Sequence, residues 1–450
     1  MLQGQSCMTS VQLGTGMLRQ VISLILACCF LFFPIGLVFA AEDTLKLRDL
    51  LREAIKHNPE IQALEARTRA AEHRIPQAKS LADPMFMVGY ENEGTSNLYT
   101  FNRDMPGKDG EPADSRWMFS LSQMFPFPGK LALKGDMATR DAESQQAMIE
   151  AVRLNTIVRV KELFYDLSLA YANIDLLKDQ TVLFSRTEEA ALARYTTGMA
   201  PQQEVLMAQT EKYMLLEREE MERQKIKSLE AMLNALLGRD GRLPLGNRPE
   251  TLPYVPYAYQ AEQLVNMSYE KNPLIKSREK MVAAAGSKVQ MAKKEFYPDF
   301  TVGGTYFARH DDLPDMWNVT ATINIPLYYK KKQQEAVLEA EALLREAKRE
   351  VGMAKLMASS TVRDNYAMVK TADKLLTLYK EGLIPKTYQD VEAALTGYST
   401  GKVEAITVIS RLKALLDYEL LYRSQFAQRE KAAARIEGVA GITDDEELVK

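Results

Sequence analysis

Three sets of residues in this sequence have types and spacings that could do chemistry. Glu204 and Glu404 stand just after two glycine-centred breaks, RYTTGMAPQQEVL (residues 194–206) and GYSTGKVEAITVI (397–409). A carboxylate sets a negative local potential that favours cations, and on a helix it reads equally as a solvated charge. Met207, Met214 and Met221 recur at heptad spacing, and thioethers suit soft metals such as Cu(I). Heptad methionine also fills helix seams, because its unbranched side chain adapts to irregular gaps. Packing is the expectation here, and no metal site is assigned. His57, His73 and His310 are far apart in sequence and read as solvated. No phosphate-binding glycine loop, HExxH helix, G-x-S-x-G elbow or cysteine-based metal pattern occurs. No catalytic residue and no cofactor is expected, and the chain is not read as an enzyme.

The bulk balance excludes another class. The 57 basic and 60 acidic residues leave a formal charge of −3, which gives no footprint for nucleic acid. The run MLRQVISLILACCFLFFPIGLVFA, from Met17, has a short basic start, a long apolar core and small residues at its end. It predicts a signal peptide over residues 1–40, cleaved after Ala40. Lipidation at Cys28 would leave a greasy stub after the modified residue. Cys7, Cys28 and Cys29 all fall in that leader, so the mature chain has no disulfide and must hold by packing or oligomerisation. No second stretch reaches the roughly 18 apolar residues of a membrane helix.

The elements that position the two breaks are themselves duplicated. Asn58-Pro59 and Asn272-Pro273 are offset by 214 residues, and Pro84 and Pro298 keep that offset. Pro126 and Pro326 are offset by 200, and Gly198 and Gly401 by 203. The expected organisation is a first repeat over 41–243, a proline-rich linker over 244–257, a second repeat over 258–438 and a polar tail over 439–450. Each repeat reads as helix, strand, strand, very long helix. In WNVTATINIP, Trp317, Val319, Ala321, Ile323 and Ile325 alternate with polar residues; in WMFSLSQMF, Trp117, Phe119, Leu121 and Phe125 share a face opposite Met118, Ser120 and Ser122. PMFMVGYENE and DFTVGGTYFAR are their partner strands. All are about ten residues long, the length of a tilted membrane β-strand.

Trp117 and Trp317 begin equivalent strands, where an indole suits the headgroup level of a membrane. Tyr328 and Tyr329 precede Lys330, Lys331 and Lys332, a combination that suits an anionic lipid surface. Four strands cannot close a barrel, and an open edge in lipid leaves backbone groups unpaired, so several copies must contribute. The helices are unusually long: Lys130 to Tyr195 contains no proline and would span on the order of 100 Å. Their three- and four-residue apolar spacing is that of a coiled coil with neighbours on both sides.

In this order, twice over, the NP…DP and NP…YPDF junctions, FPFPGKLALKG and the two glycine breaks resemble the TolC family of outer-membrane efflux proteins, from about Leu45 to Gly438. The resemblance implies a mainly α chain with a membrane β-barrel. Three copies would form a long α-helical barrel and close a 12-stranded β-barrel in the outer membrane of a Gram-negative bacterium, with the helices in the periplasm. It implies a passive exit duct of a tripartite exporter, with a periplasmic adaptor and an inner-membrane pump as partners. FPFPGK resembles the branch serving resistance–nodulation–division pumps, heavy-metal exporters among them. A type I secretion channel would share the fold, and a periplasmic coiled-coil scaffold is the reading from another class. By resemblance the adaptor-contact tips are Tyr195, Thr197, Gly198 and Met199 with Tyr398, Thr400, Gly401 and Lys402. The family's acidic gate would fall on Glu204, with Glu404 replacing the non-acidic Thr407 and Ser410 of the second break.

Overall fold

The protein is described by a computed structural model covering residues 44–93, 114–309 and 313–442. Residues 1–44 form one unit and 45–450 another, and only the second is treated below. The expected leader, most of the polar loop after β1, His310 and residues 443–450 lie outside the described residues.

Two short helices open the chain, α1 (Leu47–His57) and α2 (Pro59–Lys79). The Asn-Pro pair explains the break between them. Proline is at home at the first helical position, where its missing N–H is not needed. The Asn58 side chain accepts hydrogen bonds from Glu60 N (2.9 Å) and Ile61 N (3.2 Å), and its amide donates to Leu236 O at 3.0 Å. Asn272 repeats this between α5 (Ala261–Lys271) and α6 (Pro273–Lys294). It accepts from Leu274 N (2.9 Å) and Ile275 N (3.3 Å) and donates to Val439 O at 2.9 Å. Each pair thus caps one helix and ties it to the end of another far along the chain.

The strands are β1 (Met85–Glu93), β2 (Asp114–Phe125), β3 (Phe300–Ala308) and β4 (Met316–Ile323). They form one antiparallel sheet in the order β1-β2-β3-β4, with β1 and β4 at its edges. Register gathers the apolar residues on one face. Phe86 lies opposite Leu121, Val88 opposite Phe119 and Tyr90 opposite Trp117. Phe119 continues to Tyr306, Phe125 to Phe300, Tyr306 to Trp317 and Phe300 to Ile323. The other face is mixed: it carries Ser120, Ser122, Thr301, Thr305, Asn318, Thr320 and Thr322 together with Met87, Met118, Met124 and Phe307. Among the described residues no helix covers the apolar face: Trp317 is 76% exposed and Val319 69%. The fourth strand stops at Ile323, short of the expected Ile325-Pro326, and proline at 326 has no N–H to extend the ladder.

Helix α3 (Lys130–Thr196) runs for 67 residues and packs along α4 (Gln202–Leu236). In the second half, α7 (Gln333–Thr377) passes through a six-residue π-helix, Leu378–Leu383, into α8 (Ile384–Ser399), and α9 (Ala405–Ala440) follows. The π turn widens the helix just before Pro385, which has no N–H to offer its preceding turn. One apolar core joins Phe184, Val205, Leu215, Val408 and Leu412 near the glycine breaks; another joins Leu50, Phe164, Ile174 and Leu233. Helix α9 runs to Ala440, past the expected start of the tail at 439. Ala440 packs with Leu264 and Ile436, and Gly441 then ends the helix at φ 67°.

A buried joint ties the sheet to the helices. Gly129 takes φ 93°, and Lys130 beside it is 2% exposed. Its ammonium lies 2.8 Å from Asp299, 3.2 Å from Tyr297 O and 3.5 Å from Glu295. Phe127 N donates to the same Asp299 oxygen at 2.7 Å, and the Phe127 and Tyr297 rings stack at 4.4 Å. Burial pushes the Asp299 carboxyl up, but the Lys130 and Phe127 bonds outweigh it and hold it below the ordinary aspartate range.

Candidate functional site: the paired helical turns

Each glycine break is a helix-to-helix turn closed in the same way. Gly198 has φ 72° and Gly401 φ 75°, the left-handed region that a Cβ disfavours. Met199 N bonds Arg194 O at 2.8 Å and Gly198 N bonds Tyr195 O at 3.0 Å. Lys402 N to Gly397 O (2.8 Å) and Gly401 N to Tyr398 O (3.0 Å) repeat the pattern. These paired bonds satisfy the carbonyls left over at the end of each helix. Thr197 and Thr400 send their hydroxyls back to Ala193 O and Thr396 O. Thr197, Gly198, Met199, Thr400, Gly401 and Lys402 are exposed.

The two tyrosines differ. Tyr195 is 43% exposed, whereas Tyr398 is 1% exposed and packs in the core with Val205 and Ala405. Tyr398, grouped with the contact residues by resemblance, therefore offers no surface from this chain and acts from within. The cause lies in its neighbours. Its hydroxyl donates to Glu204 at 2.9 Å, and the Arg194 guanidinium lies 4.5 Å over its ring. Arg194 also donates to Tyr398 O, and to Met199 O at 3.3 Å. The positions equivalent to Arg194 and Glu204 in the second turn are Gly397 and Thr407, so Tyr195 has neither cation nor carboxylate to hold it. Arg194 stapling one turn to the other was not singled out in the sequence, because its counterpart is a glycine.

The gate candidates separate accordingly. Glu204 is half-buried and engaged by Tyr398. Glu404 is exposed and precedes α9, where a negative charge suits the helix start. Thr407 is half-buried, and Ser410 donates to Thr407 O at 2.8 Å. Burial raises the Tyr398 hydroxyl, and the Glu204 bond and charge raise it further, to about 12. A raised value means stability that is complete below the unfolded tyrosine value near 10 and is lost as pH climbs through about 12. Tyr165 is also raised by burial, so ultraviolet titration should show several late-ionising tyrosines, and the difference between wild type and Tyr398→Phe should be one of them, titrating near 12. A difference signal titrating near 10 would contradict the Glu204 bond.

The aromatics expected at a membrane interface sit at the two ends of the sheet. Trp117 meets Tyr90 edge-on at 5.2 Å, and Trp317 lies opposite Tyr306. At the helix end Phe125 stacks on Phe300 at 5.9 Å, and Tyr329 meets Phe296. Tyr328 is exposed. From Trp117 to Phe125 the strand rises about 27 Å, near the height of the apolar band on a membrane barrel. Among the described residues, no helix is long and apolar enough to cross a membrane, and no group of three His, Cys, Asp or Glu residues could hold a metal. Met207 packs on the core near the turns, whereas Met214 and Met221 are exposed. A cavity of about 620 Å³ lies between α3, the π segment, α9 and the linker. Its Arg248 and Asp175 pair with each other at 2.9 Å.

The family described as outer membrane efflux protein matches residues 50–239 and 264–440. The chain belongs to that family. Its work is therefore that of an efflux channel and not of an enzyme. This outer membrane efflux protein is 24% identical over 324 residues to the cobalt-zinc-cadmium resistance protein CzcC of Cupriavidus metallidurans, spanning 70% of this chain and 74% of that one. Its fold is similar to the outer membrane protein VceC of Vibrio cholerae (TM-score 0.74, 18% identity, 89% of this chain and 97% of that one). It is equally similar to CusC, with TM-score 0.74, 15% identity and 88% and 92% coverage.

Proposed function

We propose that the chain is the outer-membrane exit duct of a tripartite exporter, working as a homotrimer with divalent metal ions as cargo. Three sheets close a 12-stranded barrel, and the long helices form a tube in the periplasm. The exposed residues of the paired turns meet the adaptor, and the inner-membrane pump supplies the energy. The tandem repeat, residues 41–243 and 258–438, gives each copy two turns and the trimer six. The observation that carries this reading is the four-stranded sheet, apolar and uncovered on one face, richer in polar residues on the other and open at both edges. Such a sheet meets the demands of lipid only when its edges are paired by other copies. Tyr328 and Tyr329 extend its apolar end toward the headgroups.

Metal cargo rests on the similarity to CzcC and on the exposed Glu404, which three-fold repetition would turn into an acidic ring favouring cations. The deciding experiment is susceptibility profiling of a strain lacking the chain, with cobalt, zinc and cadmium beside drugs. The expected result is lost metal tolerance, restored by the wild-type chain, with unchanged drug tolerance. Sensitivity to drugs alone would overturn the cargo, and unchanged sensitivity to everything would overturn the efflux role. Glu404→Gln should also lower cation selectivity in planar bilayers, with open-channel conductance retained.

A further inference from the structure

We propose that the joint found inside the chain at the β2–β3 seam is rebuilt between copies where β4 meets β1, with Asp83 of one copy held by Lys330 and its neighbours Lys331 and Lys332 of the next. This rests on the homotrimer reading and names the charges that lock its seam.

The internal joint supplies the pattern. Lys130, just after β2, is buried against Asp299 at the foot of β3. The segments MFPFPGK and NIPLYYK align at an offset of 200 residues, which sets Lys330 in the place of Lys130. At the foot of β1, LADPMF aligns with EFYPDF at an offset of 214, with Pro84 in the place of Pro298. The position equivalent to Asp299 is Met85, and the acid stands two residues earlier, at Asp83. The second joint therefore has its cation in place and its carboxylate displaced by two residues. Two further lysines follow Lys330 on that side. Asp83, Lys330, Lys331 and Lys332 are all exposed, and among the described residues none of the four has an ion pair.

The strand register agrees. Because the sheet is antiparallel throughout, β4 runs against the β1 of a following copy as β2 runs against β3. Carrying over the Phe125–Phe300 pairing by the two offsets sets Ile325 opposite Phe86 and Tyr328 opposite Asp83. Ile325 and Phe86 both continue the apolar face, and a slip of one residue would turn one of them to the polar face. Asp83 then lies two residues from Lys330, within reach of a lysine side chain. Within one copy the contact is not available, since β1 and β4 are opposite edges of the sheet, three strand spacings or about 14 Å apart.

A carbodiimide, which joins a carboxylate to a nearby amine as an amide, tests this on the purified protein in detergent. The expected product is a covalent oligomer whose digest contains the Asp83 peptide joined to Lys330, Lys331 or Lys332. That product should be lost in Asp83→Asn. Asp83→Lys should lower the temperature at which the trimer dissociates, and adding Lys330→Asp and Lys331→Asp should recover part of the loss. A trimer by native mass spectrometry that gives no such crosslink and no recovery would overturn the proposed joint and leave the trimer standing. A monomer would overturn the trimer reading itself. Loss of co-purifying anionic phospholipid on replacing the lysines, with the trimer unaffected, would assign them to lipid headgroups and also overturn the joint.

Discussion

Replacing Arg429 with alanine is expected to destabilise the helical body by about 3–5 kcal/mol, the range for breaking a buried ion pair by removing one partner. The guanidinium is 2% exposed. It donates to Asp373 at 2.9 Å, to Glu430 and to Val255 O, and lies 4.5 Å over the Tyr254 ring. These partners come from α7, α9 and the linker, so one side chain holds three segments that are distant in sequence. Without it, two carboxylates lose the cation between them. The thermal midpoint should fall, and the linker around Val255 should become the new site of protease cleavage. Adding Asp373→Asn should recover part of the loss, because one uncompensated charge goes with it. An unchanged midpoint and digestion pattern in Arg429→Ala would show that the guanidinium does not hold the linker.

Arg429 also shows why part of the chain was not legible in the sequence. Its counterpart at the repeat offset of 203 is Ile226, a seam residue with no charge to satisfy. A basic residue in a helix with charges on either side reads as a solvated face, and only the fold reveals that linker and α7 cover it. The regular parts were open to reading because each has a local cause. Alternation fixed the four strands, proline and asparagine fixed the helix starts, and the long proline-free run is a helix of 67 residues. Lys130 lay inside the FPFPGK segment, yet its partner Asp299 is 169 residues away, so no local pattern pointed to the joint. The twin turns were legible as backbone, since glycine at positive φ is a local demand. Their different interiors were not, because they depend on which turn owns Arg194 and which owns Glu204.

That difference leads to the largest expected functional effect. On the proposed reading of the chain as a metal-exporting outer-membrane duct, Arg194→Ala should abolish metal tolerance as fully as deletion of the chain, while the amount of protein in the membrane fraction stays normal. The side chain stacks on Tyr398 and reaches carbonyls of both turns, at Tyr398 and Met199. Hydrogen bonds to a charged group contribute about 1.5–3 kcal/mol, and a cation over an aromatic face adds about 0.5–2 kcal/mol. The Tyr398–Glu204 bond and the packing of Tyr398 on Val205 also join the turns, but Arg194 adds the contacts to backbone carbonyls of both, so their relative placement should depend on it. Lysine at 194 keeps the charge but not the planar fork, and should be intermediate. Tyr398→Phe removes only the Glu204 bond, about 1 kcal/mol, and should reduce export without ending it. Because Arg194 and Tyr398 touch, their double variant should lose less than the sum of the singles. Leucine at both Gly198 and Gly401 attacks the same placement from the backbone, at roughly 1–2 kcal/mol for each left-handed residue. No side chain lies within 4 Å of where a Cβ would stand at Gly198, so the backbone angle alone is strained there. If Arg194→Ala exported metal normally, the turns would not need each other; if Arg194→Ala failed and the double leucine variant worked, the guanidinium would matter for charge and not for placement.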